Sequence, residues 1–300
     1  METSSLSRGA CVVDSLASWT RSIACRLLSG AGSASLVVYE WAPSTAVDSL
    51  VHGVSTGGDL VVAACPATGH RISSFPDSFP VDVRLSILKD AADPSVRIKS
   101  AGVQALGTFE WVPAAEATRM LLANELPPDV GAILASENGR LGMVKAQRIL
   151  VHDCSGITSL PLSELMDSLV GEDSMANFPD ADEELDANHV VLSCGQEALC
   201  RMCDAVTRGN LPGKELTNRP LREGCVRFGD QVFCADVDRT GMVLVRIGTD
   251  GTETVFAPFG GDVDSMAELS DQIEGIARGL ESLEKSSEWP DTPVSEQLSA

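Results

Sequence analysis

The chain has 300 residues, 44% of them hydrophobic and 22% charged, with 43 acidic against 22 basic side chains and a formal charge of -21. This composition buries enough apolar surface to exclude a disordered chain, and its negative field works against binding to a nucleic-acid backbone or an anionic membrane surface. The length exceeds the roughly 250 residues at which a single core stops growing, so two domains are expected. No apolar run approaches the roughly 20 residues of a bilayer span, and the start shows no basic segment leading into an apolar one; a cytoplasmic location is expected. Nine cysteines, an odd number in a chain without a secretory pattern, read as reduced thiols rather than a disulfide framework.

In chain order, Val12, Leu16, Trp19, Ile23 and Leu27 fall at helical spacing and stop at SGAGS. β-rich runs follow: SASLVVYEW, DLVVAAC, VDVRLSILK, SVRIKSAGVQALGTFEW and GRLGMVKAQRILVHD, the last ending at a CSG turn. One helix interrupts them, PAAEATRMLLANEL, opened by Pro113 and stopped before Pro127 and Pro128. Many strands and few helices over this stretch predict an antiparallel barrel or sandwich across residues 1–170.

Residues 171–187 carry Glu172, Asp173, Asp180, Asp182, Glu183, Glu184 and Asp186 and read as a solvated acidic linker. Residues 188–284 then read as a smaller α+β unit. It has a helix around Gly195 to Arg208, a GNLPGKELTNRP loop, and strands CVRFGD, QVFCADVD, GMVLVRIG and TETVFAPF. TDGT, between the last two strands, is a hairpin turn, because Asp-Gly tolerates positive φ. Ser265 and Glu268 form a capping box for a helix striped by Met266, Leu269, Ile273, Ile276, Leu280 and Leu283. Residues 285–300 read as a disordered tail.

Close His and Cys spacing occurs once, in LDANHVVLSCGQEALCRMC. A zinc or iron–sulfur site needs about four converging ligands. Cys200 and Cys203 would supply two; His189, Cys194, Cys225 or Cys234 would have to complete the set. No second CxxC or HxxxH accompanies them, and Leu199, Met202, Cys203 and Val206 share one helical face. No metal site is therefore assigned, and the stretch reads as a thiol-bearing helix. His152, closing an apolar strand, and His70, in a loop, are candidate haem ligands or simple hydrogen-bonding residues. Arg84, Lys89, Arg97, Lys99, Arg140, Lys145 and Arg148 would serve an anionic cofactor, or stand outward on strands.

The segments FPVDVRLSILKDAADPSVRIKSAGVQALGTFEW and NGRLGMVKAQRILVHD resemble the flavin-binding split barrels related to pyridoxamine 5'-phosphate oxidase, and within them the haem-utilisation (HugZ-type) branch. ADVDRTGMVLVRI and TVFAPFGGDVDSMAELSDQI are similar to the small α+β domain that follows the barrel there, and LDANH to the Asn-x-Asp-His box opening that domain. The resemblance implies an α+β fold, a split β-barrel of the FMN-binding type followed by a smaller α+β domain. It further implies a homodimer and a cleft for haem or FMN. Some relatives degrade haem with oxygen and a reductant, an oxidoreductase role; others bind and regulate an enzyme of tetrapyrrole metabolism without turnover. The implied cofactor-binding set here is His152 or His189 as iron ligand, with Arg140, Lys145 and Arg148 neutralising propionates or phosphate. No catalytic residue is singled out. The chain departs from the branch at Thr240, where an aromatic residue is usual, at Asn188, where the box has Asp, and in having no histidine after His189.

Overall fold

A computed structural model describes residues 3–40, 46–66, 69–170, 178–220, 229–249 and 251–287. Helix α1 (Thr3–Leu28) leads into strands β1 (Ser33–Val38), β2 (Ala46–Val54), β3 (Leu60–Ala64), β4 (Val81–Asp90) and β5 (Lys99–Trp111). Short helices α2 (Ala114–Leu122) and α3 (Pro128–Leu134) precede the long strand β6 (Arg140–Asp153), then β7 (Gly156–Pro161) and α4 (Leu162–Val170). The strands run β3-β2-β1-β4-β5-β6-β7, and β3 returns to pair with β6. Six antiparallel strands thus close a barrel, as the α+β split-barrel reading requires.

The split arises on β6. With β5 on one side, its other side meets β3 over Arg140–Val144 and β7 over Arg148–Asp153. Alternation places Ile149 and Val151 in the barrel core with Leu85, Ile87 and Val103, and turns Leu150 and His152 outward.

The second half comprises α5 (Glu184–Ser193), α6 (Gln196–Thr207), β8 (Lys214–Pro220), β9 (Gln231–Asp238), β10 (Gly241–Ile247), β11 (Gly251–Pro258) and α7 (Met266–Ser287). Its antiparallel sheet has the order β8-β11-β10-β9. Helices cover one face, where Leu199, Met202, Cys203, Leu244, Val255, Leu269 and Ile273 form a core. The other face presents Ala235, Val243, Val245 and Phe256 toward α1 and the barrel.

Helix α1 joins the two halves because its single apolar stripe is shared between two cores. Leu16 and Trp19 pack on the four-stranded sheet, Trp19 meeting Phe256 edge-on at 5.4 Å, while Ile23 and Leu27 enter the barrel core. A ring of buried charge closes the same junction. Asp236 on β9 accepts from Arg26 Nη2 at 2.6 Å and Lys89 Nζ at 2.9 Å; Glu184 Oε1 lies 2.6 Å from Lys89 Nζ and 3.4 Å from Arg26 Nη1. Four side chains from α1, β4, β9 and α5 thereby balance two positive and two negative charges away from water.

Several readings from sequence change. Glu184 and Asp186, read as solvated linker, lie in the first turn of α5, and Glu184 is drawn into the charge ring. GNLPGKELTNRP holds strand β8, an edge strand whose exposed polar side chains hide it from a hydrophobicity pattern. Pro127 and Pro128, read as a stop, open α3, since proline fits a first helical turn. Strands β2 and β7 and helix α4 were not anticipated; a register shift in the β1–β2 pairing accompanies the broken alternation of β2. Lys285 to Ser287 extend α7 instead of starting a tail. Most of CVRFGD, with Asp250 of the TDGT turn and residues 288–300, lies outside the described residues, although β10 and β11 do pair as a hairpin.

Candidate functional site

A cavity of about 780 Å³ lies between the outer face of the barrel and the inner face of the four-stranded sheet. Its barrel wall is built on a cross-strand row. Leu88 on β4 stands opposite Gly102 on β5, Gly102 opposite His152 on β6, and His152 opposite Ile157 on β7. Gly102 has no side chain to fill the row, and a Cβ there would stand 2.8 Å from Leu88 Cδ2. The cavity floor beside His152 is therefore low. Trp19, Ala235, Val243 and Val245 supply an apolar opposite wall.

His152 is half-buried and lines this cavity, and its Nε2 is closed to solvent with no hydrogen-bond partner among the described residues. A buried, unpaired polar atom costs roughly 1–3 kcal/mol, which makes it a place to look for function. The next residues form the β6–β7 turn. Asp153 Oδ1 accepts from Ser155 N at 2.8 Å, Ser155 Oγ at 2.6 Å and Gly156 N at 3.2 Å, while Thr20 on α1 donates to Oδ2 at 2.7 Å. Both carboxylate oxygens are thus occupied. Cys154, also on the wall, has its thiol pushed well up by burial and by the neighbouring Asp153 and Asp236 carboxylates, so it stays protonated.

The remaining histidines have other employment. His52 is buried on β2, its ring Nε2 2.6 Å from the Leu27 carbonyl at the end of α1; burial, outweighing that bond, lowers its pKa. His70 accepts from the Ile72 amide at 3.3 Å and caps a 3-10 turn. His189 is exposed on α5 and does not line the cavity. Its neighbour Asn188 is the buried member of the box and donates to the Cys234 carbonyl at 3.0 Å, tying α5 to β9.

Arg140, Lys145 and Arg148 do not line this cavity. Arg140 starts β6, roughly 40 Å of extended strand from His152. It donates to Asp77 Oδ1 at 2.6 Å and stacks 4.3 Å over the Trp111 ring. Lys145 pairs with Glu110 at 2.5 Å, and Arg148 donates to the hydroxyl and carbonyl of Ser159. Lys145 and Arg148 border a shallower cleft of about 620 Å³ on the outer β5–β6 surface, which meets the main cavity at Gln104. Among the described residues, the cations lining the main cavity are Arg97, Lys99 and Arg219. Arg97 and Lys99 were legible as members of a basic first half, whereas Arg219, in a stretch read as loop, was missed.

Among the described residues, no group of three His, Cys, Asp or Glu side chains is placed to hold a metal ion. Cys203 is fully buried in the helix–sheet core, its thiol pushed up to about 12 by burial and by Glu253; burial also raises Cys194 and Cys200. None of the three is primed as a thiolate nucleophile. No described helix is long and apolar enough to cross a membrane.

No family description matches the chain, and no curated protein is similar to it. Among solved structures, a haem-binding protein from Mycobacterium smegmatis is 13% identical, with a TM-score of 0.46 over 88% of this chain and 98% of that one. A protein of unknown function from Agrobacterium tumefaciens is 11% identical, with a TM-score of 0.33 over 84% of this chain and 93% of that one. ChuZ of Campylobacter jejuni is 12% identical, with a TM-score of 0.27 over 44% of this chain and 58% of that one.

Proposed function

We propose that the chain binds haem in the cavity between the barrel and the four-stranded sheet, with the His152 imidazole as the protein's contact to iron. The observation that carries this reading is His152 itself, which lines the cavity and keeps a buried ring nitrogen with no hydrogen-bond partner among the described residues. The residues fit the group in three further respects. The volume falls within the few hundred to 1,000 Å³ usual for cofactor sites, the Trp19 and valine wall suits an aromatic macrocycle, and Gly102 lets a flat ligand approach the strand beside His152. Bound haem would supply an iron centre that accepts a neutral imidazole nitrogen.

The chain's own side chains here are arranged to hold a cofactor. Asp153 is tied to its turn and to Thr20, Asp236 is committed to Arg26 and Lys89, and Cys154 retains its proton. None is a free acid or base aimed at the cavity, which favours haem binding or handling over a role in which the protein supplies proton transfer.

Titration with haemin tests the reading. A shifted Soret band at stoichiometric haemin is expected, with His152→Ala altering the band and weakening binding about tenfold, while the exposed His189→Ala leaves both unchanged. An unshifted spectrum, or a His152→Ala protein that behaves as the parent does, rejects the proposal; a yellow preparation that releases FMN on heating replaces it with the flavin reading.

A further inference from the structure

Where the two halves meet, the buried apolar contact is small: Leu16 and Trp19 of α1 against Ala235, Val243, Val245 and Phe256 of the sheet. Beside it lies the cavity, which adds no packing, and the buried charge ring reaches that cavity through Asp236. The seam therefore depends on charge balance as much as on packing, and the balance is uneven. Asp238, at the end of β9, belongs to the same cluster, fully buried and facing Ser22 and Arg26 of α1. Three carboxyl groups, Asp236, Asp238 and Glu184, thus share two cations, Arg26 and Lys89. The other ionisable groups close by do not redress this. Arg239, in the same turn, is engaged by Asp262 and Asp264; Asp153, on the β6–β7 turn, is held by Thr20; the Cys154 and Cys234 thiols are pushed up by burial and stay neutral.

With all three acids ionised, the closed seam would bury one uncompensated negative charge, which a low-dielectric interior opposes. One acid must hold a proton, and the bonding selects it. Arg26 and Lys89 spend their bonds on Asp236 and Glu184, whereas the donors to Asp238 are neutral: the amides of Thr240 and Gly241 and the Thr240 hydroxyl. All three fall on Oδ1, which leaves Oδ2 to carry the proton. Burial accordingly raises this carboxyl to about 6, with Arg26 offsetting part of the shift. We infer that Asp238 is a proton-operated clasp on the cavity: protonated, it lets the sheet close on α1 and the barrel; ionised, it favours parting of the seam and opens the wall made by Trp19, Ala235 and Val243. Parting returns the carboxyl to water and to an ordinary aspartate value near 3.8, so it releases a proton and becomes easier as pH rises through about 6. A difference of about two pH units corresponds to a gain of up to about a hundredfold, about tenfold of it between pH 5 and pH 8. The inference rests on the walls of the cavity assigned to haem, not on what fills it, and implies that a ligand enters and leaves more freely on the alkaline side.

Thiol labelling of the ligand-free protein tests the clasp. Cys154 is packed against the seam, whereas Cys25 lies in the barrel core and Cys203 in the helix–sheet core, so the three thiols separate local parting from general loosening. With N-ethylmaleimide, peptide mapping, and each rate divided by that of glutathione at the same pH, Cys154 should label about tenfold faster at pH 8 than at pH 5 while Cys25 and Cys203 stay level. Asp238→Asn, neutral at every pH, should abolish the rise. Glu184→Gln, which brings acids and cations level, should cut it to less than about threefold and serves if the first variant does not fold. A Cys154 rate indifferent to pH, a rise that survives in either variant, or Cys25 and Cys203 rising in step overturns the clasp. The haem reading is judged separately: a flat Cys154 response beside a His152-dependent haemin spectrum removes the clasp alone, and the opposite pair of results keeps the clasp and removes haem.

Discussion

Two hairpin turns in this protein share one chemistry and differ in surroundings. Asp153-Cys154-Ser155-Gly156 joins β6 to β7, and Asp238-Arg239-Thr240-Gly241 joins β9 to β10. In the second, Asp238 Oδ1 accepts from Thr240 N at 2.7 Å, Thr240 Oγ1 at 2.7 Å and Gly241 N at 3.2 Å, the same three bonds that Asp153 makes. At Asp153 the other oxygen receives Thr20 beside an open cavity. At Asp238 the carboxyl is fully buried and faces Ser22 and Arg26 of α1 in place of an open cavity. Burial, only partly offset by Arg26, raises the Asp238 carboxyl to about 6. The turn is thus a local device, while the charge it carries is a property of the site where it is placed.

A third aspartate completes the contrast. Asp236 lies two residues before Asp238 on the same strand and is equally buried, but Arg26 and Lys89 overcome its desolvation and hold it below the usual carboxylate range. Neighbouring carboxylates on one strand therefore respond to pH in opposite directions.

The largest expected effect comes from breaking the paired member. Asp236→Asn leaves Arg26 and Lys89 buried with only Glu184, and should cost about 3–5 kcal/mol at neutral pH, read as a lower urea midpoint. A loss below about 1 kcal/mol would show that the ring is not a fastening. Because Asp236 is depressed in the folded state, the stability it contributes is present above the ordinary aspartate pKa and is lost as pH falls through its folded value.

Asp238 should act in the reverse sense. Its folded pKa of about 6 exceeds the 3.8 of a free aspartate, so its contribution is fully present below about 4, declines as pH rises to about 6 and stays low above. Asp238→Asn removes that dependence. The stability difference between variant and parent should move by about 2 kcal/mol in the variant's favour between pH 4 and pH 6.5. A constant difference would mean that Asp238 titrates like an exposed acid and that the two turns are electrostatically alike.

The smallest effect concerns the shared hydroxyls. Ser155→Ala and Thr240→Val each remove one bond to an aspartate oxygen and should cost about 1 kcal/mol, with Thr240→Val the larger because the carboxyl it leaves has no water to replace the lost donor. Equal losses at both sites would indicate that burial does not sharpen the second turn.

Thr240 also shows how far the sequence could be read. It departs from the aromatic residue of the resembling family, yet its hydroxyl repeats the role of Ser155, so the departure preserves the turn. The LDANH stretch behaves differently: its resemblance to the box points to His189, but packing buries Asn188 and leaves His189 in solvent. Residues three and four apart on a helix can be assigned to one face from spacing alone, whereas which face meets a neighbour depends on a strand some 46 positions away. His152 was legible as a strand-end histidine, and the low floor beside it follows from strand pairing with Gly102.

The sequence by itself determined the local elements whose signals are short in range: α1 with its stripe, the alternating strands β4 and β6, α2 behind Pro113, and the two Asp-led turns. Those follow from periodicity, φ restriction and hydrogen bonds spanning two or three residues. Only the tertiary structure decided the rest. It divided the α1 stripe between two cores, drew Glu184 from an acidic run into a buried ring, separated Arg140, Lys145 and Arg148 from His152, and set Lys99 and Arg219 at one cavity mouth. The physical reason is that burial and charge pairing are sums over neighbours distant in sequence. The same aspartate turn is a partly exposed, fully bonded carboxylate in one place and a buried carboxyl titrating at about 6 in the other.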